Sequence, residues 1–148
     1  MMKKHFTLLF TLLILVGFQA LSATAQENAP AEIQNYVKKR GGKFPAEVNK
    51  YVVGDLNSDG KQDAVVQYYI NEGAPGNYYE SFIAVFLNKG GKFVFTSEMR
   101  AGTKLSAGMV PSGIESGKVA VDTYAANSFE KSGTIYYKLV GRKLVKTK

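Results

Sequence analysis

The sequence predicts a mainly β domain of the α+β class: an antiparallel meander sheet or small sandwich of about seven strands with one N-terminal helix. Three observations lead there. Short apolar runs recur from Val48 to Lys146, several with the period-two alternation of strands that present opposite faces. Glycine-bearing turns separate several of them by so few residues that the neighbours must pair antiparallel. Helical spacing is confined to one stretch near the start.

Residues 1–25 have the three parts of a secretory signal: Lys3 and Lys4, an apolar run from Phe6 to Phe18, and Ala23-Thr24-Ala25 before Gln26. The run is shorter than the roughly 20 residues needed to cross a bilayer. Cleavage is therefore expected, leaving residues 26–148 as a single β-rich domain, exported to the periplasm or beyond the cell, with no membrane span. No cysteine stands near the cleavage point to carry a lipid.

The helix is expected at about 30–41. Pro30 suits a first turn, Ile33, Tyr36 and Val37 form one stripe, and Gly41-Gly42 ends it. So short a helix is marginal in water, so the stripe should dock on an apolar surface. Strands follow at Val48–Val53, Ala64–Ile70, Ser81–Leu87, Lys92–Thr96, Lys118–Tyr124, Thr134–Val140 and Lys143–Lys146. Asn88-Lys89-Gly90-Gly91-Lys92 and Gly141-Arg142-Lys143 read as tight hairpin turns. Ser81–Leu87 is apolar on both faces, as a strand covered on both sides must be, whereas Thr134–Val140 alternates. Between Thr96 and Gly117 the pattern weakens, with a weak strand near Thr103 to Val110.

Composition excludes more than it selects. The chain has no cysteine, and its single histidine, His5, lies in the leader. Disulfides, the usual zinc sites, a Ser-His-Asp triad and a Cys-His pair are thereby ruled out of the mature domain. Without Lys3 and Lys4, 17 basic residues face 12 acidic ones. This mild excess, in Lys38-Lys39-Arg40 and the C-terminal lysines, reads as a solvated face, and no aromatic-basic interleaving points to nucleic acid.

One stretch stands out: Gly54-Asp55-Leu56-Asn57-Ser58-Asp59-Gly60-Lys61-Gln62-Asp63. Calcium takes six to eight oxygens, so a single loop must aim alternate side chains inward and add a carbonyl. Asp55, Asn57, Asp59 and Asp63 supply side-chain oxygens at that spacing, Lys61 supplies its carbonyl, and Gly60 allows the sharp turn. The helix-loop-helix version needs a glutamate at its twelfth position, where Val66 stands here, and this excludes an EF-hand. The bland alternative is a metal-free turn, since Asp, Asn and Gly favour turns by bonding nearby backbone. Magnesium suits the loop less because it demands stricter octahedral geometry.

The pattern Asp55-x-Asn57-x-Asp59-Gly60-x-x-Asp63, followed at once by the apolar strand Ala64–Ile70, resembles the calcium loop of the FG-GAP and VCBS repeat families. There the loop joins two strands of a propeller blade. The resemblance covers about Tyr51 to Phe95 and implies bound calcium at Asp55, Asn57, Asp59, Lys61 and Asp63. A second copy is absent from the sequence, and a single blade cannot close a propeller.

Adjacent tyrosines on a strand point to opposite faces, so within Tyr68-Tyr69 and Tyr78-Tyr79 some rings face solvent. Tyr69, Tyr78 and Tyr79 make a candidate platform for a sugar or peptide, against the plainer reading of core rings with surface hydroxyls. Outside the loop, Glu72, Glu80, Asp122 and Glu130 are the acids a hydrolase would draw on, and their spacing shows no convergence. The expectation is a non-catalytic calcium-binding module with a structural or ligand-binding role, its partner an extracellular protein or glycan. Its alternatives are a carboxylate-based hydrolase of envelope carbohydrate and a protein-partner or inhibitor module.

Overall fold

The computed structural model describes residues 29–73, 79–103, 108–126, 128 and 130–147. The expected leader and Tyr78 lie outside them. Helix α1 (Ala31–Gly41) is followed by β1 (Ala46–Gly54), β2 (Asp63–Asn71), β3 (Tyr79–Lys89), β4 (Lys92–Thr103), β5 (Gly108–Glu115), β6 (Lys118–Tyr124), β7 (Lys131–Val140) and β8 (Lys143–Lys146). Two four-stranded antiparallel meanders result, β1-β2-β3-β4 (sheet A) and β5-β6-β7-β8 (sheet B). The predicted mainly β class with one helix is what is observed.

The Pro30 carbonyl accepts the Ile33 and Gln34 N–H groups at 3.0 Å each, starting α1, and Gly42 at φ +64° ends it. The helix buries Ile33 and Val37 on one face of sheet A, against Val66, Tyr68, Phe82, Ala84 and Phe86. The other face of sheet A, through Val65, Ile83 and Val85, packs on Val119 and Val121 of sheet B. Central strands β2 and β3 are thus covered on both sides, which is why their sequences are apolar without alternation. Strand β7 alternates because one face meets the core and the other meets water.

Polar side chains tie the layers together, notably at Gln67 and at Glu98. Gln67, buried in β2, donates through Nε2 to Ser81 Oγ and to the Met109 carbonyl of β5 at 3.0 Å each, and accepts from Asn49 Nδ2 at 2.8 Å. On the helix side, Glu98 of β4 accepts from Tyr36 Oη at 3.0 Å, from Tyr68 Oη, and from Arg40 Nε and Nη2 at 3.2 and 3.1 Å. Burial first, and Glu98 next, push both tyrosine hydroxyls above the ordinary phenol range.

Strands β1, β2, β3 and β7 run one to three residues beyond the expected limits, and two differences are larger. Strand β4 continues through Thr103 instead of ending at Thr96, and β5 runs over Gly108–Glu115, sharing only 108–110 with the weak strand expected near Thr103 to Val110, of which 104–107 lie outside the described residues. The added residues Glu98 and Arg100 look like a loop in sequence, but Glu98 is the helix clamp and Arg100 pairs with Glu80 across β3. Pro111 and Gly113 are tolerated in β5 because it is an edge strand with its register shift between those two residues.

Candidate metal loop

Strand β1 ends at Gly54 and β2 begins at Asp63, so the aspartate stretch is the connection between them. Asp55 Oδ1 accepts the Asp59 N–H at 3.2 Å, and Oδ2 accepts the Gly60 N–H at 2.9 Å. Asn57 Oδ1 accepts the same Asp59 N–H at 3.1 Å. Asp59 Oδ1 accepts the Lys61 N–H at 2.9 Å, while its Oδ2 takes Asn57 Nδ2 at 3.2 Å and faces Lys61 Nζ at 3.7 Å. Three side chains from alternate positions are therefore curled back over one run of backbone amides, at a turn Gly60 permits with φ +79°. The Lys61 amide, helped by Asn57 and the Lys61 ammonium, holds the Asp59 carboxyl below its usual range.

Asp63 is different. It is fully buried; Oδ2 accepts the Leu56 N–H and Oδ1 the Asn88 N–H, both at 2.9 Å. Asn88 returns the connection by donating Nδ2 to the Gln62 carbonyl at 3.3 Å and accepting the Gly91 N–H at 2.9 Å. The Leu56 side chain is buried in the core between the sheets, and Gly117, in the β5–β6 turn, packs over the Leu56 carbonyl. The β1–β2 loop, the β3–β4 turn and the β5–β6 turn thus meet at one end of the sandwich, with Asp63 bonded to the first two.

Calcium calls for hard oxygen donors, and the loop offers only those: the carboxylates of Asp55 and Asp59, the Asn57 amide oxygen and the Lys61 carbonyl. Among the described residues no group of three acidic side chains is set to hold an ion by itself. Neutral oxygens must complete any shell. Both Asp63 oxygens already hold an amide, but a carboxylate oxygen has two lone pairs, so Asp63 can serve the framework and still face a cation. The donor chemistry fits calcium, with Asp63 more deeply committed to the fold than its position in the motif suggests.

The remaining candidates disperse. Glu80 is paired with Arg100 on sheet A, and Asp122 with Lys131 at 2.8 Å on sheet B. Burial pushes the Asp122 carboxyl up, but hydrogen bonds from Lys131, Thr134 and Ser112 outweigh it and bring it below its usual range. Tyr69 and Tyr79 stand in contact at the far end of β2 and β3 from the loop, ring centroids 4.8 Å apart. Sequence reasoning missed Leu56, Asn88 and Glu98. Leu56 and Asn88 meet Asp63 through backbone amides that any residue type supplies, and Glu98 is an ordinary acid until its tyrosine partners are placed. No family model, curated protein or solved structure matches the chain.

Proposed function

We propose that the protein is an exported, non-catalytic β module that binds calcium in the Asp55–Asp63 loop, where the ion has a structural role. The reading rests on one observation: the side-chain oxygens of Asp55, Asn57 and Asp59 curl over the same short run of amides. Like-charged carboxylates in one loop repel, and a divalent cation removes that repulsion. Calcium would supply charge neutralisation and a common anchor, held by Asp55, Asn57, Asp59, the Lys61 carbonyl and Asp63. Because Asp63 and Leu56 link this loop to both sheets, order in the loop is passed to the packing of the sandwich. A domain without disulfides gains most from such a fastening.

Extracellular modules bind calcium with dissociation constants of about 10⁻⁴–10⁻³ M, and ligand at ten times that constant stabilises the fold by about 1.4 kcal/mol. For a domain of this size that is a rise in thermal midpoint of roughly 4–7 °C. The test compares midpoints in millimolar calcium and in chelator for the wild type and Asp59→Ala. The wild type should show the rise and the variant should not; equal wild-type midpoints in the two buffers would refute the reading.

A further inference from the structure

At the end of sheet A away from the aspartate loop, Pro45, Glu47, Tyr69, Asn71 and Tyr79 line a recess of about 180 Å³. The pairings Glu47 with Tyr69 and Asn71 with Tyr79 place these four side chains on one face of the sheet. It is the face that, two residues back at Gln67, meets sheet B through the Met109 carbonyl. The two rings are tilted 53° to one another with centroids 4.8 Å apart, so they form a wedge instead of a stack. The rim is held in shape: the Asn71 N–H donates to the Pro45 carbonyl at 2.9 Å, and Asn71 Oδ1 accepts the Gly73 N–H at 3.0 Å.

The charge of this recess is opposite to that of the chain. The protein carries a formal +7, yet among the described residues no basic side chain lines the recess and Glu47 does. Among the described residues Glu47 has neither a hydrogen-bond nor an ion-pair partner. A carboxylate without a counter-ion beside two electron-rich ring faces is a site for a positive charge, because the ring quadrupole and the carboxylate attract it together. A volume below the roughly 300 Å³ at which drug-sized pockets begin admits one small head group and no extended ligand.

We infer that this recess binds the quaternary ammonium head of a small organic cation, set against the Tyr69 and Tyr79 rings with the Glu47 carboxylate beside it. The ligand's alkyl groups lie on the rings and its charge faces Glu47. A sugar ring is the competing occupant, but its neutral hydroxyls would leave the Glu47 charge uncompensated. The recess is remote from the aspartate loop, so this inference stands or falls independently of calcium.

The test is a titration of the protein with choline chloride followed by ring-proton NMR of the tyrosines, with sodium chloride at matched ionic strength as control and N-acetylglucosamine as the neutral competitor. Saturable shifts confined to Tyr69 and Tyr79 are expected with choline and not with the controls. Glu47→Gln should weaken binding at least fivefold and Tyr79→Leu at least tenfold. Glu47→Gln lies on an exposed side chain and leaves the thermal midpoint unchanged, so its loss of binding is not a loss of fold. No saturable shift with choline, the same response to sodium chloride, or saturation by the sugar alone would each overturn the inference.

Discussion

Replacing Asp63 by alanine separates the frame of the loop from its ion. In the wild type both carboxylate oxygens accept backbone N–H groups at 2.9 Å, Leu56 in a buried setting and Asn88 in a partly buried one. Removing the acceptor leaves the Leu56 N–H unsatisfied in the core, at about 1–3 kcal/mol, while water reaches the Asn88 N–H more easily and reduces its share to about 1 kcal/mol. The small cavity left by a fully buried side chain adds to this. The expected loss is about 2–5 kcal/mol, a large fraction of the roughly 5–15 kcal/mol that holds a domain folded. Asp63→Asn keeps one acceptor but turns an amide NH₂ toward the other N–H, so it should lose about half as much. Urea unfolding in chelator measures both, and Asp63→Ala should move the midpoint of the transition without changing its slope. An Asp63→Ala loss below about 0.5 kcal/mol in chelator would refute the reasoning, since the carboxylate would then be holding nothing without an ion.

Two further outcomes follow from close packing and from burial of hydroxyls. A Cβ on Gly54 would lie 2.6 Å from Ile114 Cβ and 3.3 Å from its carbonyl oxygen, so Gly54→Ala must push β5 from β1 and should cost about 1–3 kcal/mol in urea unfolding, whereas Gly113→Ala, with only Glu115 Oε1 at 4.0 Å, should cost less. Tyr68 titrates above its unfolded value of about 10, so its stabilisation is complete below pH 10 and is lost as pH rises toward the folded value. Unfolding then releases a proton, and stability should fall by about 1.4 kcal/mol per pH unit from this group between about pH 10 and 12. In Tyr68→Phe, less stable at neutral pH, that part of the slope should vanish; an unchanged slope would contradict the buried-hydroxyl account.

How much was legible in the sequence depended on whether a feature speaks through residue type or through backbone. The helix stripe Ile33, Tyr36 and Val37 and the doubly apolar runs of β2 and β3 were readable because burial on a face dictates side-chain type. Strand β5 was not: Gly108, Pro111 and Gly113 break its pattern, and only the edge position in sheet B, which sequence does not reveal, makes them acceptable. The far half of β4 was hidden for a related reason, since Glu98 reads as solvent-facing until Tyr36, Arg40 and Tyr68 are brought to it from α1 and β2.

The site divides in the same way. The spacing of Asp55, Asn57 and Asp59 marks the loop directly, because alternate oxygens must share one interior. The work of Asp63 is invisible in sequence: its partners are two main-chain amides, one of them 25 residues away. Tyr69, Asn71 and Tyr79 need only the β2–β3 hairpin, but the addition of Glu47 needs the register of β1 on β2, which a one-residue slip would reverse.

The most direct measurement is a crystal structure of the protein grown with calcium chloride. The account predicts a cation within about 2.3–2.6 Å of oxygens from Asp55, Asn57, Asp59, Asp63 and the Lys61 carbonyl. It also predicts that the Leu56 and Asn88 amides stay on Asp63. A loop that keeps its internal hydrogen bonds at saturating calcium, with no cation among those oxygens, would contradict it.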